Sequence, residues 1–156
     1  MNKAKKNPHY VNNKDFHDAL INYKIKVNQA KDSGLKNPVI PNYIGDCFLK
    51  IATHLSYRPN FVNYMFREDM ISDGVENCVQ YINNFDVERT NPFAYFTQIV
   101  YYAFLRRIQK EKRQMEIKEK IIEKSGFDQL FSSDGNSGNS SDYNTIKENI
   151  QIKLYQ

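Results

Sequence analysis

"NPFAYFTQIVYYAFLRRIQKEKRQ", residues 91–114, decides how this chain folds. Asn91 is a side-chain cap, and Pro92 suits the first helical position, where a missing N–H does no harm. The stretch predicts one long helix continuing to Lys124, with Gly126 as its stop. Six aromatics lie between Phe93 and Phe104, and five basic residues follow between Arg106 and Arg113. A buried helix has no use for that many cations, and a solvated one has no use for that many rings. Phe93, Val100 and Phe104 are the expected core positions.

Three further helices are predicted upstream. Asn12-Asn13 caps a helix over about 13–30, with Phe16, Leu20, Tyr23 and Val27 at helical spacing. "KDSGLKNPVIPN" (31–42) breaks it with Gly34, Pro38 and Pro41. A second helix runs from about Pro41 to Tyr57 with Phe48, Ile51 and Leu55 as its apolar stripe. A third runs from about Arg67 to Asn83. Ile71, Val75, Cys78, Ile82 and Phe85 form its expected core face. "NNFDVERTN" (83–91) is a turn. No strand-like alternation is present, so the fold class is all-α: a compact helical domain, a flexible linker and a short C-terminal tail.

The expected organisation is a loose basic N-terminus (1–11), a helical domain (12–126), a Ser/Gly/Asn-rich linker (127–142) and a terminal peptide (143–156). In that last segment Ile146, Ile150 and Leu154 recur every four residues. A tether ending in a short amphipathic segment suits a docking peptide. With 156 residues and 40% hydrophobic content, the chain has enough for one modest core. No run is long enough for a membrane span, and no signal peptide is evident, so a cytosolic, membrane-free protein is expected. Cys47 and Cys78 lack metal-site spacing and read as buried free thiols.

Net charge is +4, unevenly placed. Residues 101–120 hold seven Lys/Arg and three Glu, while 68–88 hold six acids and no Lys or Arg. Two charged segments of opposite sign imply two different partners. Enzyme chemistry is poorly supported. His9, His17 and His54 are scattered, no Gly-rich phosphate loop is present, and no nucleophile elbow occurs. Asp69 and Asp73, four residues apart, could serve a metal-dependent nuclease, but solvated or partner-facing acids are commoner. No enzyme activity, cofactor or metal is expected. A helical DNA- or RNA-binding regulator is the alternative that the basic segment alone would allow.

"EDMISDGVENCVQYINNFD" (68–86) followed by "NPFAYFTQIVYYAFLRRI" (91–108) resembles the second conserved region of bacterial RNA polymerase sigma factors. Asp69, Met70, Ile71, Asp73 and Gly74 match its Asp-hydrophobic-Ile-x-acid-Gly start, Phe85-Asp86 its Phe-Asp pair, and Phe93 its Phe-rich opening. "FLKIATHLSYRPN" (48–60) is similar to the helix preceding that region. "YVNNKDFHDALINYK" (10–24) resembles the small late-transcription sigma factors of T-even-type tailed phages.

The resemblance implies a factor that binds core RNA polymerase in the cytoplasm of an infected bacterial host and directs it to A+T-rich late promoters. It implies polymerase binding by Asp69, Ser72, Asp73, Glu76, Asn77, Gln80 and Asn83, on a basic coiled coil of the largest subunit. It implies promoter DNA binding by Tyr95, Phe96, Gln98, Ile99, Tyr101, Tyr102, Arg106, Arg107, Lys110, Lys112 and Arg113. Unpaired bases stack on rings, and phosphates pair with cations, which accounts for both halves of the 91–114 stretch. Ile150, Ile152, Leu154 and Tyr155 are the expected docking residues for a phage sliding clamp, with a co-activator as a further partner. Phe96 stands where housekeeping sigma factors have a base-capturing tyrosine, Ile99-Val100 where they have two tryptophans, and Ala103 where a base-edge contact is common. These departures fit a factor recruited with helpers.

Overall fold

A computed structural model describes residues 10–125. The expected linker (127–142), the terminal peptide with Ile150, Ile152, Leu154 and Tyr155, residues 1–9 and the Gly126 stop lie outside the described residues. Within them the chain is all-α. Helices α1 (Asn13–Asp32), α2 (Asn42–Ser56), α3 (Arg67–Tyr81) and α4 (Pro92–Lys124) follow in order, with a 3-10 turn, Ile82–Asn84, after α3. The chain divides into two compact units between Leu105 and Arg106, inside α4, where the sequence reading has one helical domain over 12–126.

Local chemistry sets the helix ends. The Asn12 side chain accepts from the N–H groups of Lys14 and Asp15, two of the donors that a helix start leaves without partners. After α1, Gly34 adopts φ +66°, a left-handed value that a side chain resists, and the chain leaves the helix there. Asn91 accepts from the Ala94 N–H at 3.1 Å, and Pro92 opens α4. The α2–α3 junction is tied by polar groups. Arg67 Nε donates to Ser56 Oγ at 3.0 Å, and its guanidinium lies 4.1 Å from the centre of the Tyr57 ring. Ser56 is fully buried but satisfied, since it also donates to the Thr53 carbonyl at 2.6 Å.

The core of the first unit takes one stripe from each helix: Phe16, Leu20, Tyr23 and Val27 from α1, and Ile44, Cys47, Phe48, Ile51, Ala52 and Leu55 from α2. On α3 the buried line is Met70, Gly74 and Cys78, continuing to Ile82 and Phe85. This corrects the expected face, since Ile71 and Val75 are only half-buried. The cause is Gly74. A Cβ there would lie 3.0 Å from Val100 Cγ1 and 3.2 Å from Phe104 Cε1. The missing side chain lets α3 approach α4 closely, and the buried register turns by one residue to place that gap against α4. Cys47 and Cys78 are both free and buried.

Candidate polymerase and nucleic-acid surfaces

The acidic side of α3 is built by the same periodicity that buries its other side. Asp69, Asp73, Glu76 and Gln80 follow steps of four, three and four residues, which keeps them on one line of the helix. Asp69, Ser72, Glu76, Gln80 and Asn83 are exposed, while Asp73 and Asn77 are half-buried. The Asn77 side chain donates to the Asp73 carbonyl at 2.7 Å. Glu68 and Asp69 occupy the first turn, where acids are favourable next to the helix N-terminus. Asp73 and Glu76 sit past that turn, and Asp69 with Asp73 is a like-charged pair at the repelling four-residue spacing. Helix stability therefore explains the first two acids and not the rest of the line.

The rings of α4 separate into two groups. Pro92, Phe96, Val100, Ala103 and Phe104 are buried. Phe96 is 0% exposed and lies among Phe16 (5.5 Å between ring centres), Phe48 (4.7 Å) and Phe85 (5.7 Å). This corrects the reading of Phe96 as a base-stacking ring. It stands four residues before Val100 and eight before Phe104, both assigned to the core, so the same spacing places it with them. Ala103 is buried as well and faces no solvent ligand. Phe93, expected in the core, is half-buried and meets Tyr10 edge-on at 5.6 Å.

The available rings are Tyr101, 38% exposed, and Tyr102, 49% exposed, 5.9 Å apart. Tyr101 is braced by the buried Phe61, whose ring is 6.0 Å away. Tyr95 is half-buried against Phe85 at 5.2 Å, and burial raises its hydroxyl pKa, an effect that Arg89 partly offsets. Gln98 is exposed, and Ile99 is half-buried. Tyr95 and Gln98 border an open cleft of about 470 Å³ with Glu88, Arg89, Thr90, Asn91 and Ala94.

In the second unit, Arg106, Lys110, Lys112 and Arg113 are exposed. Arg107 is half-buried and forms an ion pair with Glu111 at 3.2 Å, so part of its charge is already matched.

Two features escape the sequence reading. One is the set of bonds by which α1 holds the turn before α4. Asn13 Nδ2 donates to the Thr90 carbonyl at 3.1 Å, while Asn13 Oδ1 accepts from the Phe93 N–H at 3.2 Å. Lys24 Nζ donates to the Phe85 carbonyl at 3.2 Å, and His17 Nε2 is 2.8 Å from the Val87 carbonyl. The other is a cleft of about 390 Å³ where Tyr10 stacks on His54 at 4.0 Å, beside Arg58, Phe93 and Thr97. Thr97 Oγ1 is buried there without a hydrogen-bond partner. These contacts join residues far apart in sequence, and no local pattern signals them.

Among the described residues no group of three His, Cys, Asp or Glu is placed to hold a metal, and no helix is long and apolar enough to cross a membrane. No known protein family, curated protein or solved structure matches the chain.

Proposed function

We propose that this chain is a sigma-type transcription initiation factor of the phage late class, which binds bacterial core RNA polymerase and brings it to A+T-rich promoters. The observation that carries the reading is the α3 line Asp69-Asp73-Glu76-Gln80. It is polar, acidic and free of Lys or Arg along its length, while the opposite side of the helix is fixed in the core through Gly74. A rigidly mounted acidic stripe suits a basic helical partner, because complementary charge speeds encounter and sets register. A plain nucleic-acid binder gains nothing from it.

Exposed Tyr101 and Tyr102 are the rings offered to unpaired bases, with Tyr95 and Gln98 at the cleft beside the α4 N-terminus. Arg106, Arg107, Lys110, Lys112 and Arg113 supply phosphate contacts in this reading. The terminal residues Ile150, Ile152, Leu154 and Tyr155 dock on a sliding clamp in this reading, raising the local concentration of the complex at the promoter without new DNA contacts.

Run-off transcription tests the proposal. Core polymerase on an A+T-rich late-type promoter should start at a defined site only when the chain is added. Removing residues 143–156 should leave unassisted initiation intact and abolish stimulation by the clamp. Failure of the chain to co-purify with core polymerase would favour a DNA- or RNA-binding regulator instead.

A further inference from the structure

The second unit carries a charge arrangement that extends past residues 106–113. Arg106, Lys110, Arg113, Lys120 and Lys124 are all exposed. Their steps of four, three, seven and four residues keep them on one side of the helix, with Ile117, also exposed, in the gap of seven. At about 100° per residue they fall within roughly a quarter of the circumference. Glu111, Glu116, Glu119 and Glu123 all fall outside that arc. So do Arg107, Lys112 and Lys118.

From Arg106 to Lys124 the line covers 18 residue steps, or about 27 Å at helical rise. Lys124 in the last turn is favoured by the helix C-terminus, and Arg113 and Lys120 each have a Glu three residues on. Neighbouring cations three or four residues apart nevertheless repel, by about 0.2–0.5 kcal/mol per pair, so helix stability does not account for the whole line. A solvated helix gains more by alternating the two signs along each face.

We infer that this line is a docking rail for the phosphate backbone of duplex DNA, in which Lys120 and Lys124 take part and Lys118 does not. The inference rests on the promoter-binding reading and assigns the duplex to one face of the second unit. Charge complementarity selects a polyanion. The absence of rings selects the duplex: residues 106–125 contain no Phe, Tyr or Trp, and single strands are held by stacking on rings as well as by cations. Contacts of this kind position a protein on DNA and carry no sequence information.

The test compares two lysines that differ in position but not in charge. Lys118 and Lys120 are both exposed, and they lie about 160° apart around the helix. Full-length protein, Lys118→Gln and Lys120→Gln are titrated against a fluorescent mixed-sequence duplex by anisotropy, at salt from about 50 to about 200 mM. Lys120→Gln should lower the slope of log affinity against log salt by about 0.9, and Lys120→Gln with Lys124→Gln by about 1.8, while Lys118→Gln leaves it nearly unchanged. Other basic residues enter the total slope but cancel in the difference. A single strand of equal length should show a smaller change with Lys120→Gln. Equal slope losses for Lys118→Gln and Lys120→Gln, or none for either, would overturn the rail. Co-purification of each variant with core polymerase keeps the two readings separate. A variant that binds polymerase like the parent but shows no slope change sinks the rail alone, while a parent that binds duplex and not polymerase sinks the initiation-factor reading.

Discussion

Replacing Phe96 by alanine is expected to cost about 3–5 kcal/mol, because the ring is fully buried among three others and the cavity cannot collapse around them. Tyr102→Ala should leave stability within about 0.5 kcal/mol and weaken the melted promoter complex by about 1–3 kcal/mol. Urea unfolding reads the first effect and permanganate reactivity of unpaired thymines the second. If the two variants exchange these phenotypes, the sorting of rings by burial is wrong. At Gly74 two effects oppose. Alanine improves helix propensity by about 1 kcal/mol, but its Cβ would meet Val100 and Phe104, both fully buried and unable to yield. Overpacking wins, and Gly74→Ala should lower the urea midpoint by the equivalent of about 1 kcal/mol. Phe96 and Gly74 also mark what the sequence concealed. A phenylalanine in a row of aromatics reads equally as core or as stacking ring, and a glycine between Asp73 and Val75 reads as a gap in the pattern. Packing against Phe16, Phe48 and Phe85 decides the first, and the close approach of α3 to α4 decides the second.

The helices themselves were legible, α1, α2 and α4 from start signals and apolar stripes, and α3 from periodicity alone, since no side chain caps it. Asn12 before α1, Pro41 before α2 and Asn91-Pro92 before α4 are local signals of known geometry. The acidic line of α3 was legible for the same reason, as periodicity places residues on a face whatever their chemistry. What holds one element to another was not legible. Asn13 looks like a second capping residue, yet its side chain reaches Thr90 and Phe93, 77 and 80 residues away. Asn13→Ala should cost about 1 kcal/mol, since the Thr90 bond is exposed to water and the Phe93 bond is only partly buried. Its diagnostic mark is faster amide exchange at Phe93, while amides in the middle of α1 keep their protection. Unchanged exchange at Phe93 would show that the bond does not hold the turn.

The first unit is stabilised by burial that also makes it sensitive to alkali. Burial pushes the Cys78 thiol from 9.0 up to about 12, and it raises the hydroxyls of Tyr10, Tyr23 and Tyr95 as well. Between those two Cys78 values the unfolded chain has lost a proton that the folded chain retains, so stability falls as pH rises across this window. Cys78→Ala should flatten the alkaline decline without removing it, because the tyrosines contribute in the same direction. Denaturant titrations from neutral pH into that range give the slopes, and identical slopes for parent and variant would contradict the assignment. For the functional account the decisive surface is α3. The most direct measurement is the affinity of the full chain for bacterial core RNA polymerase, before and after Asp69→Lys with Asp73→Lys. Reversing two acids on one line against a basic partner costs several kcal/mol. The account predicts a loss of at least about 100-fold with an unchanged helical spectrum, and an undiminished affinity of the doubly reversed protein would contradict it.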